Sequence, residues 1–378
     1  MNVAYLLGSL NLGGTETLLL DMLDYYRQAY YDFLIIYRKD GNLKERFSLS
    51  HVPIYKINYE KSWMLLIYLF KLRKVFKSKN VNIVHSNQRI DTVLAGIASL
   101  GLPIKIVQTI HDFDFKYNYI GKLLIRLSFR LSKWNIFVSK YQEDYYSRIY
   151  NLGEHTPKSV VYNGINFDKF NNLSTISIRE ELSISSQTLM LGMVGNFNPG
   201  HDQMTICRFL NLLSLQGFDF RFLFIGKKDD ANPQLYDECY FYCQNKGLLG
   251  KVFFLGLRND VPSLLSQIDI FIYSTDYDTF GIAVIEAIAS GIPVLTNDWG
   301  VMKEITENGK RATIYLTKDE HDLLEKFNKL ISDSKALHIK NNENIQWARI
   351  KFSIQQHFTK LRLLYCTLVP NDMLHEHL

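Results

Sequence analysis

The sequence is poor in the residues that would build a metal or disulfide scaffold. Of its 378 residues only 4 are cysteine, and Cys207, Cys239, Cys243 and Cys366 form no CxxC pair and have no His at ligand spacing. Neither a zinc site nor a disulfide framework is indicated, and buried or free thiols are expected. No apolar run exceeds Trp63 to Phe70, far short of the roughly 20 residues that span a bilayer. The formal charge of +5 is mild for this length and gives no reason to invoke nucleic acid. No G-x-G-x-x-G follows the first strand pattern, which speaks against a dinucleotide-dependent dehydrogenase or epimerase. No basic region precedes Val3 to Leu7, which reads as a buried strand, so the expectation is a cytoplasmic protein without a leader.

What is present points to a folded protein of two domains. Hydrophobic residues make up 47% and charged residues 21%, with 23 Tyr and 24 Phe, a composition that supports a packed core, and the length exceeds what one common core organises. Short apolar runs alternate with amphipathic helices, the mark of a parallel sheet covered on both faces. The first series comprises strands at 3–9, 33–37, 54–57, 83–86, 104–109 and 136–139, with helices from Thr15 to about Gln28, at 62–77, at 92–100 and at 121–132. Lys158 to Tyr162 reads as its last strand. Asn163-Gly164 and the polar stretch from Asn171 to Ser177 read as a linker. The second series has strands at 189–194, 220–225, 252–255 and 268–274, with helices near 204–216 and 235–244. The domains are expected at 1–175 and 186–350.

The densest motif is DTFGIAVIEAIASGIPVLTNDWG, from Asp278 to Gly300. It reads as a loop bearing a carboxylate, a helix entered through Gly281 and containing Glu286, a stop at Gly291, and a buried strand from Pro293 to Thr296. The first N–H groups of such a helix have no intrahelical partner and offer a phosphate site. Helical side chains tilt toward the N-terminus, so Glu286 aims back to that end and can accept from a vicinal diol such as ribose. Taken alone, Glu286 would be read as a capping or solvated carboxylate of an ordinary α/β helix.

Two carboxylates separated by seven residues, with Phe280-Gly281, Ala287 and Gly291-Ile292-Pro293 around them, resemble the acidic pair of the retaining nucleotide-sugar glycosyltransferases of GT-B fold, chiefly family 4, of the bacterial surface-polysaccharide type. Asp278 stands where that family usually has Glu, and Glu286 is the expected second member. The similarity covers nearly the whole chain. It implies an α/β fold of two Rossmann-like domains facing each other across a cleft, with a closing segment, 351–378, crossing back to the first. It also implies retention at the anomeric carbon, no metal and no cofactor. Glu286 would take the ribose, amides around Phe280, Gly281 and Ile282 the phosphate, and Asp278 the hydroxyls of the transferred sugar.

Other positions gain meaning from the same resemblance. Gly13-Gly14-Thr15-Glu16 lies between the first strand and first helix, where a tight turn capped by Thr15 would explain the same letters; in relatives a matching Gly-Gly loop faces the transferred sugar and diphosphate. His111, at a strand end and followed by Asp112, matches a family His that contacts the donor sugar, and is expected to be catalytic with Asp278 and Glu286. Gly195-Asn196 occupies the place of a Gly-Arg loop with a nearby Lys, yet this chain has Asn196 for the Arg and no Lys before Gly200. Lys227 and Lys228, after the next strand, are the candidate replacements at the diphosphate. Asp112-Phe113-Asp114 and Asp276-Tyr277-Asp278 spell the DxD of the GT-A architecture, but a second α/β series has no place in a single GT-A domain, and neither is read as a metal site.

The helices around 61–79 and 122–133 mix Leu, Ile and Phe with Lys71, Arg73, Lys74, Lys77, Lys79, Lys122, Arg126, Arg130 and Lys133, a pattern suited to an anionic membrane surface. A sheet-covering helix with its lysines in water has the same pattern. The reading adopted is a glycosyltransferase moving a sugar from a nucleotide-sugar donor, expected to be a UDP-sugar, to a glycan or lipid-linked acceptor, peripheral on the inner face of the membrane. Its rival is a catalytically silent nucleotide-sugar-binding or scaffold protein of the same fold, a rival that Asn196 and Asp278 make plausible.

Overall fold

The structure, a computed structural model, describes residues 1–25, 32–59, 62–171, 173, 177–230, 232–332 and 342–369. They divide into two units: Met1–Ile165 with the described residues from Ile354 onward, and Asn166–Ser353. The linker stretch from Asn171 to Ser177 lies mostly outside the described residues, as does the expected end of the first helix near Gln28.

The first unit is built on seven parallel strands: β1 (Asn2–Ser9), β2 (Asp32–Lys39), β3 (Ile54–Lys56), β4 (Ile83–Ser86), β5 (Lys105–Ile110), β6 (Trp134–Phe137) and β7 (Lys158–Val160), in the order β3-β2-β1-β4-β5-β6-β7. Alternation along β1 sends Val3, Tyr5 and Leu7 into one core layer, with the helix Gly14–Tyr25 and the last helix, Ile354–Leu368. Ala4 and Leu6 enter the opposite layer with Tyr68, Leu72 and Phe76 of the helix Leu65–Ser78 and Leu94, Ala95 and Ala98 of the helix Arg89–Ala98. A sheet covered on both faces needs apolar residues at odd and even positions, which is why its strands read as continuous runs. The chain lays out β1, β2 and β3 to one side and returns to place β4 on the other side of β1. Beyond the carboxyl ends of β1 and β4 the connections diverge and a crevice opens.

The second unit repeats the plan with β8 (Leu189–Val194), β9 (Phe220–Ile225), β10 (Val252–Phe254), β11 (Ile270–Tyr273), β12 (Val294–Asn297) and β13 (Thr313–Tyr315), all parallel, in the order β10-β9-β8-β11-β12-β13. Its divergence point lies between β8 and β11. The loops after β8 and β9 meet backbone to backbone, since a Cβ on Gly226 would fall 2.1 Å from the carbonyl oxygen of Gly195.

Several ends differ from the sequence reading. The helix expected at Thr92 starts at Arg89, and the one expected at Gly121 starts at Tyr119, where the Asn118 side chain caps it by accepting from the Gly121 N–H at 2.9 Å. The first helix opens at Gly14, and the Thr17 N–H donates to the Gly13 carbonyl at 3.0 Å, so Thr15 is not its cap. The helix Lys140–Tyr150, its mean hydropathy low and its hydrophobic pattern carried by tyrosines, escaped the reading. Cys207, Cys239 and Cys243 are buried and Cys366 is half-buried. Among the described residues no helix is long and apolar enough to cross a membrane.

Candidate active site

At the divergence point of the first unit a cavity of about 420 Å³ is lined by Gly8, Thr15 and Glu16 from the β1 side, Asn87, Gln88 and Arg89 after β4, and His111, Asp112 and Tyr117 after β5. That is the volume of a small-ligand pocket. The Arg89 guanidinium forks onto Asp112 at 3.0 and 2.5 Å, lies over the Tyr117 ring at 4.4 Å and reaches the Tyr146 hydroxyl at 3.0 Å. Tyr117 donates to the same carboxylate at 2.8 Å. Two planar groups joined by parallel bonds hold one orientation, so the cavity wall is stiff there.

His111 is half-buried, with Nε2 3.1 Å from the Asn87 side-chain oxygen. Burial pulls its pKa down to about 4, with Asp112 opposing and His357 assisting. A neutral ring at pH 7 is a hydrogen-bonding group and a proton acceptor, not a cation. Behind it His85 and His357 are likewise pushed down by burial, to about 3 and about 4. His85 bonds Thr109 at 2.7 Å and also the Tyr365 hydroxyl, and His357 bonds the Tyr162 carbonyl at 2.7 Å. The last helix thus supplies two polar side chains to the floor behind the cavity. At the Gly13-Gly14 loop a Cβ on Gly14 would meet open space, while one on Gly13 would lie 2.6 Å from the Glu16 carboxylate, whose pKa burial raises.

In the second unit the loop after β11 carries Asp278 to the start of the helix Ile282–Ala289. Gly281 sits at φ +82°, a backbone conformation that favours glycine, and a Cβ there would press on Met302 Cε at 2.7 Å. The Trp299 indole donates to the Asp278 carbonyl at 2.8 Å, and the Asp278 N–H donates to Thr275 Oγ1 at 3.0 Å, pinning the loop. The Phe280 side chain is buried against Phe352 with ring centroids 5.7 Å apart, and its backbone N–H donates to Asp278 Oδ1 at 3.3 Å, so its side chain is turned away from the loop surface. Glu286 is half-buried in the second turn, behind the amides of Gly281 and Ile282.

The loop after β8 shows what replaced the expected arginine. Asn196 Oδ1 accepts from the Lys227 backbone N–H at 3.0 Å, and its carbonyl accepts from His201 Nδ1 at 2.7 Å and Gln203 Nε2 at 3.1 Å. Asn196 therefore ties together the loops after β8 and β9 next to Gly195. Lys228 is committed to Asp237 at 2.6 and 2.8 Å and lies over Tyr236, whereas the Lys227 side chain is exposed. The DxD carboxylates are engaged too: Asp114 accepts from Tyr145 and Tyr150, both at 2.5 Å, and Asp276 pairs with Lys318 at 3.2 Å.

Each unit gathers its expected residues at its own divergence point: Gly13, Gly14 and His111 in the first, and Gly195, Asn196, Asp278, Gly281, Ile282 and Glu286 in the second. The sequence reading missed Arg89, Tyr117, His201 and Tyr273. Arg89 carried a signal, being close after a strand in a parallel α/β series. Tyr273 did not, because it reads as one more apolar position of β11.

Comparison with known proteins agrees with the two-unit fold. Residues 12–169 match glycosyltransferase family 4 and residues 174–347 match glycosyl transferases group 1. The chain is 23% identical over 382 residues, 95% of each chain, to the UDP-Gal:alpha-D-GlcNAc-diphosphoundecaprenol alpha-1,3-galactosyltransferase of Escherichia coli. It is 26% identical over 295 residues, covering 72% of this chain and 74% of the relative, to the N,N'-diacetylbacillosaminyl-diphospho-undecaprenol alpha-1,3-N-acetylgalactosaminyltransferase of Campylobacter jejuni. Among solved structures, Anabaena HepE in complex with UDP and glucose superposes with a TM-score of 0.85 at 20% identity, over 97% of this chain and 100% of that one. A Rickettsia africae glycosyltransferase superposes with a TM-score of 0.86 at 19% identity, over 98% and 99%. Two Rossmann-like units, the placing of Asp278 and Glu286, and a family match over both halves make this chain a member of the GT-B glycosyltransferases of family 4 and group 1.

Proposed function

We propose that the protein transfers a sugar from a UDP-sugar to a hydroxyl of a lipid-linked or glycan acceptor in surface-polysaccharide synthesis, with retention and without a metal. The observation that carries this reading is the helix start after β11, where Asp278 precedes and Glu286 follows the amides of Gly281 and Ile282. A phosphate on those amides leaves Glu286 to accept from the ribose diol and Asp278 from sugar hydroxyls. The anomeric carbon–oxygen bond to the diphosphate breaks, a bond to the acceptor oxygen forms on the same face, and the acceptor proton passes to the departing phosphate oxygen. Lys227 supplies charge at the diphosphate, while Asn196 shapes the loop beside it. In the first unit, Gly13, Gly14 and the neutral His111 are the candidates to bind sugar, and the cavity with Arg89 and Tyr117 takes the acceptor. The two relatives above are named for diphosphoundecaprenol-linked acceptors, which supports a lipid-linked acceptor here.

The same unit offers a surface suited to an anionic bilayer. The helix Leu65–Ser78 exposes Leu66 and Phe70 beside Lys71, Lys74 and Lys77, with Trp63 just before it, and the helix Tyr119–Leu131 exposes Ile120 and Leu123. The helix Arg89–Ala98 packs against both, so all three lie on one side of the sheet. Exposed apolar groups beside basic ones bind such surfaces.

A panel of nucleotide sugars tests the function. UDP-sugars should raise the melting temperature, since a ligand of the folded state stabilises it, and the stabilising donor should yield a product of unchanged anomeric configuration with a diphosphate-lipid acceptor. Stabilisation by a donor with no transfer to any acceptor extract would support a binding protein instead.

A further inference from the structure

The second unit contains a polar chain that the roles above leave unused. His201 follows the loop after β8, and Tyr273 ends β11 with its side chain buried, 2% exposed. Tyr273 Oη lies 2.6 Å from Asp278 Oδ2 and 2.9 Å from His201 Nε2, and His201 Nδ1 lies 2.7 Å from the Asn196 carbonyl oxygen. Asp278 Oδ1 accepts from the Phe280 N–H at 3.3 Å. Both carboxylate oxygens thus have a fixed partner, one a tyrosine and the other the backbone of the helix entry.

Counting protons sets the direction of these bonds. A carbonyl oxygen only accepts, so His201 donates from Nδ1. The single proton of Tyr273 goes to the carboxylate, so His201 also donates from Nε2 to the tyrosine oxygen. With both ring nitrogens donating, the hydrogen bonds from His201 Nε2 onward run toward Asp278 across one hydroxyl. Burial and then the Asp278 charge push the pKa of Tyr273 well above its ordinary range, so the hydroxyl keeps its proton and stays a donor. Such bonds, made to charged groups, are the strong ones.

We propose that Tyr273, oriented by His201, is a positioning residue for Asp278: it fixes the carboxylate's rotation so that its remaining lone pairs meet the hydroxyls of the transferred sugar. This rests on the glycosyl-transfer reading. The chain explains why Asp serves at this position. The Tyr273 hydroxyl at the strand end supplies a fixed bond to this short side chain. A loosely held Asp278 would still bind donor but would lose alignment in the transition state, where orientation counts most.

Two measurements test it. In histidine-labelled protein at neutral pH, 15N NMR should show both ring nitrogens of His201 protonated, with the resonances identified by their loss in His201→Gln. The Tyr273→Phe variant should lose that signature. This arm needs no turnover, and a singly protonated ring in the wild type would overturn the chain. In kinetics, Tyr273→Phe should lower kcat about tenfold while donor KM stays within about threefold, the pattern of an interaction realised in the transition state. His201→Gln, which keeps an N–H for the tyrosine oxygen, should retain more activity than His201→Ala. On an Asp278→Asn background, Tyr273→Phe should cost no more than about twofold, because residues acting as one unit are not additive. Wild-type turnover in Tyr273→Phe, or the full loss repeated on the Asn background, would overturn the proposal in an active enzyme. Absence of transfer by the wild type itself would count against the glycosyl-transfer reading instead.

Discussion

The two units share a topology and a divergence point, yet they equip it differently. Beyond β1 and β4 the first unit has a cavity of about 420 Å³ and keeps His85, His111 and His357 uncharged by burial. Beyond β8 and β11 the second unit has a glycine-entered helix start, two carboxylates and a histidine bonded on both nitrogens. On the proposed reading the helix start beside carboxylates suits a phosphate and a diol, and the cavity walled by the Arg89–Asp112 pair and Tyr117 suits a ring with hydroxyls. Fold alone does not assign these tasks; the side chains after each strand do.

Acid should break the comparison most strongly. A histidine whose folded pKa lies below its unfolded value of 6.5 binds its proton more readily when unfolded, so its stability contribution is intact above pH 6.5 and is lost as pH falls toward the folded value. For the most buried pair, His85 and His357, the loss between pH 6.5 and 4 should be about 3–6 kcal/mol. Hydrogen exchange followed from pH 7 to 4.5 should therefore show the first unit opening before the second. The reverse order would mean that these rings are not held neutral.

Membrane binding should belong to the first unit alone. Changing Lys71, Lys74 and Lys77 to Gln should weaken cosedimentation with anionic vesicles by about 3 kcal/mol at low salt, at about 1 kcal/mol per charge, and added salt should weaken the wild type in the same direction. If the wild type ignores such vesicles, the two basic helices only cover the sheet.

A smaller effect separates the two lysines of the second unit. Lys227→Ala should lower turnover about tenfold, more than it weakens donor binding, since charge at a departing diphosphate matters most in the transition state. Lys228→Ala should stay within about twofold of wild type, because that ammonium is already paired with Asp237. Equal losses in both would return Lys228 to the site.

Much of this was legible in the sequence, for reasons that also mark the limit. Buried parallel strands such as Leu189–Val194 and Phe220–Ile225 are continuous apolar runs and were read at their true ends. Gly281 and Gly291 punctuated their helix as expected, both at positive φ. Helix starts were read late where a polar or aromatic residue opens the helix, as at Arg89 and Tyr119. Contacts across sequence distance were beyond reach. Nothing local tells that Lys228 would be taken by Asp237, that Asn196 would clasp the loop after β9, or that Tyr273 would turn its hydroxyl to Asp278.

The central claim is that the second unit holds the nucleotide and the first the acceptor, and calorimetric titration of UDP into two variants tests it most directly. Glu286→Ala removes a charge-assisted acceptor for the ribose, worth about 1.5–3 kcal/mol, so UDP affinity should fall about 10- to 100-fold in a protein that melts as the wild type does. Arg89→Ala, which alters only the cavity of the first unit, should leave UDP affinity within about twofold and raise the acceptor KM instead. Unchanged UDP affinity in a folded Glu286→Ala protein, or a loss of UDP binding on Arg89→Ala, would contradict the account.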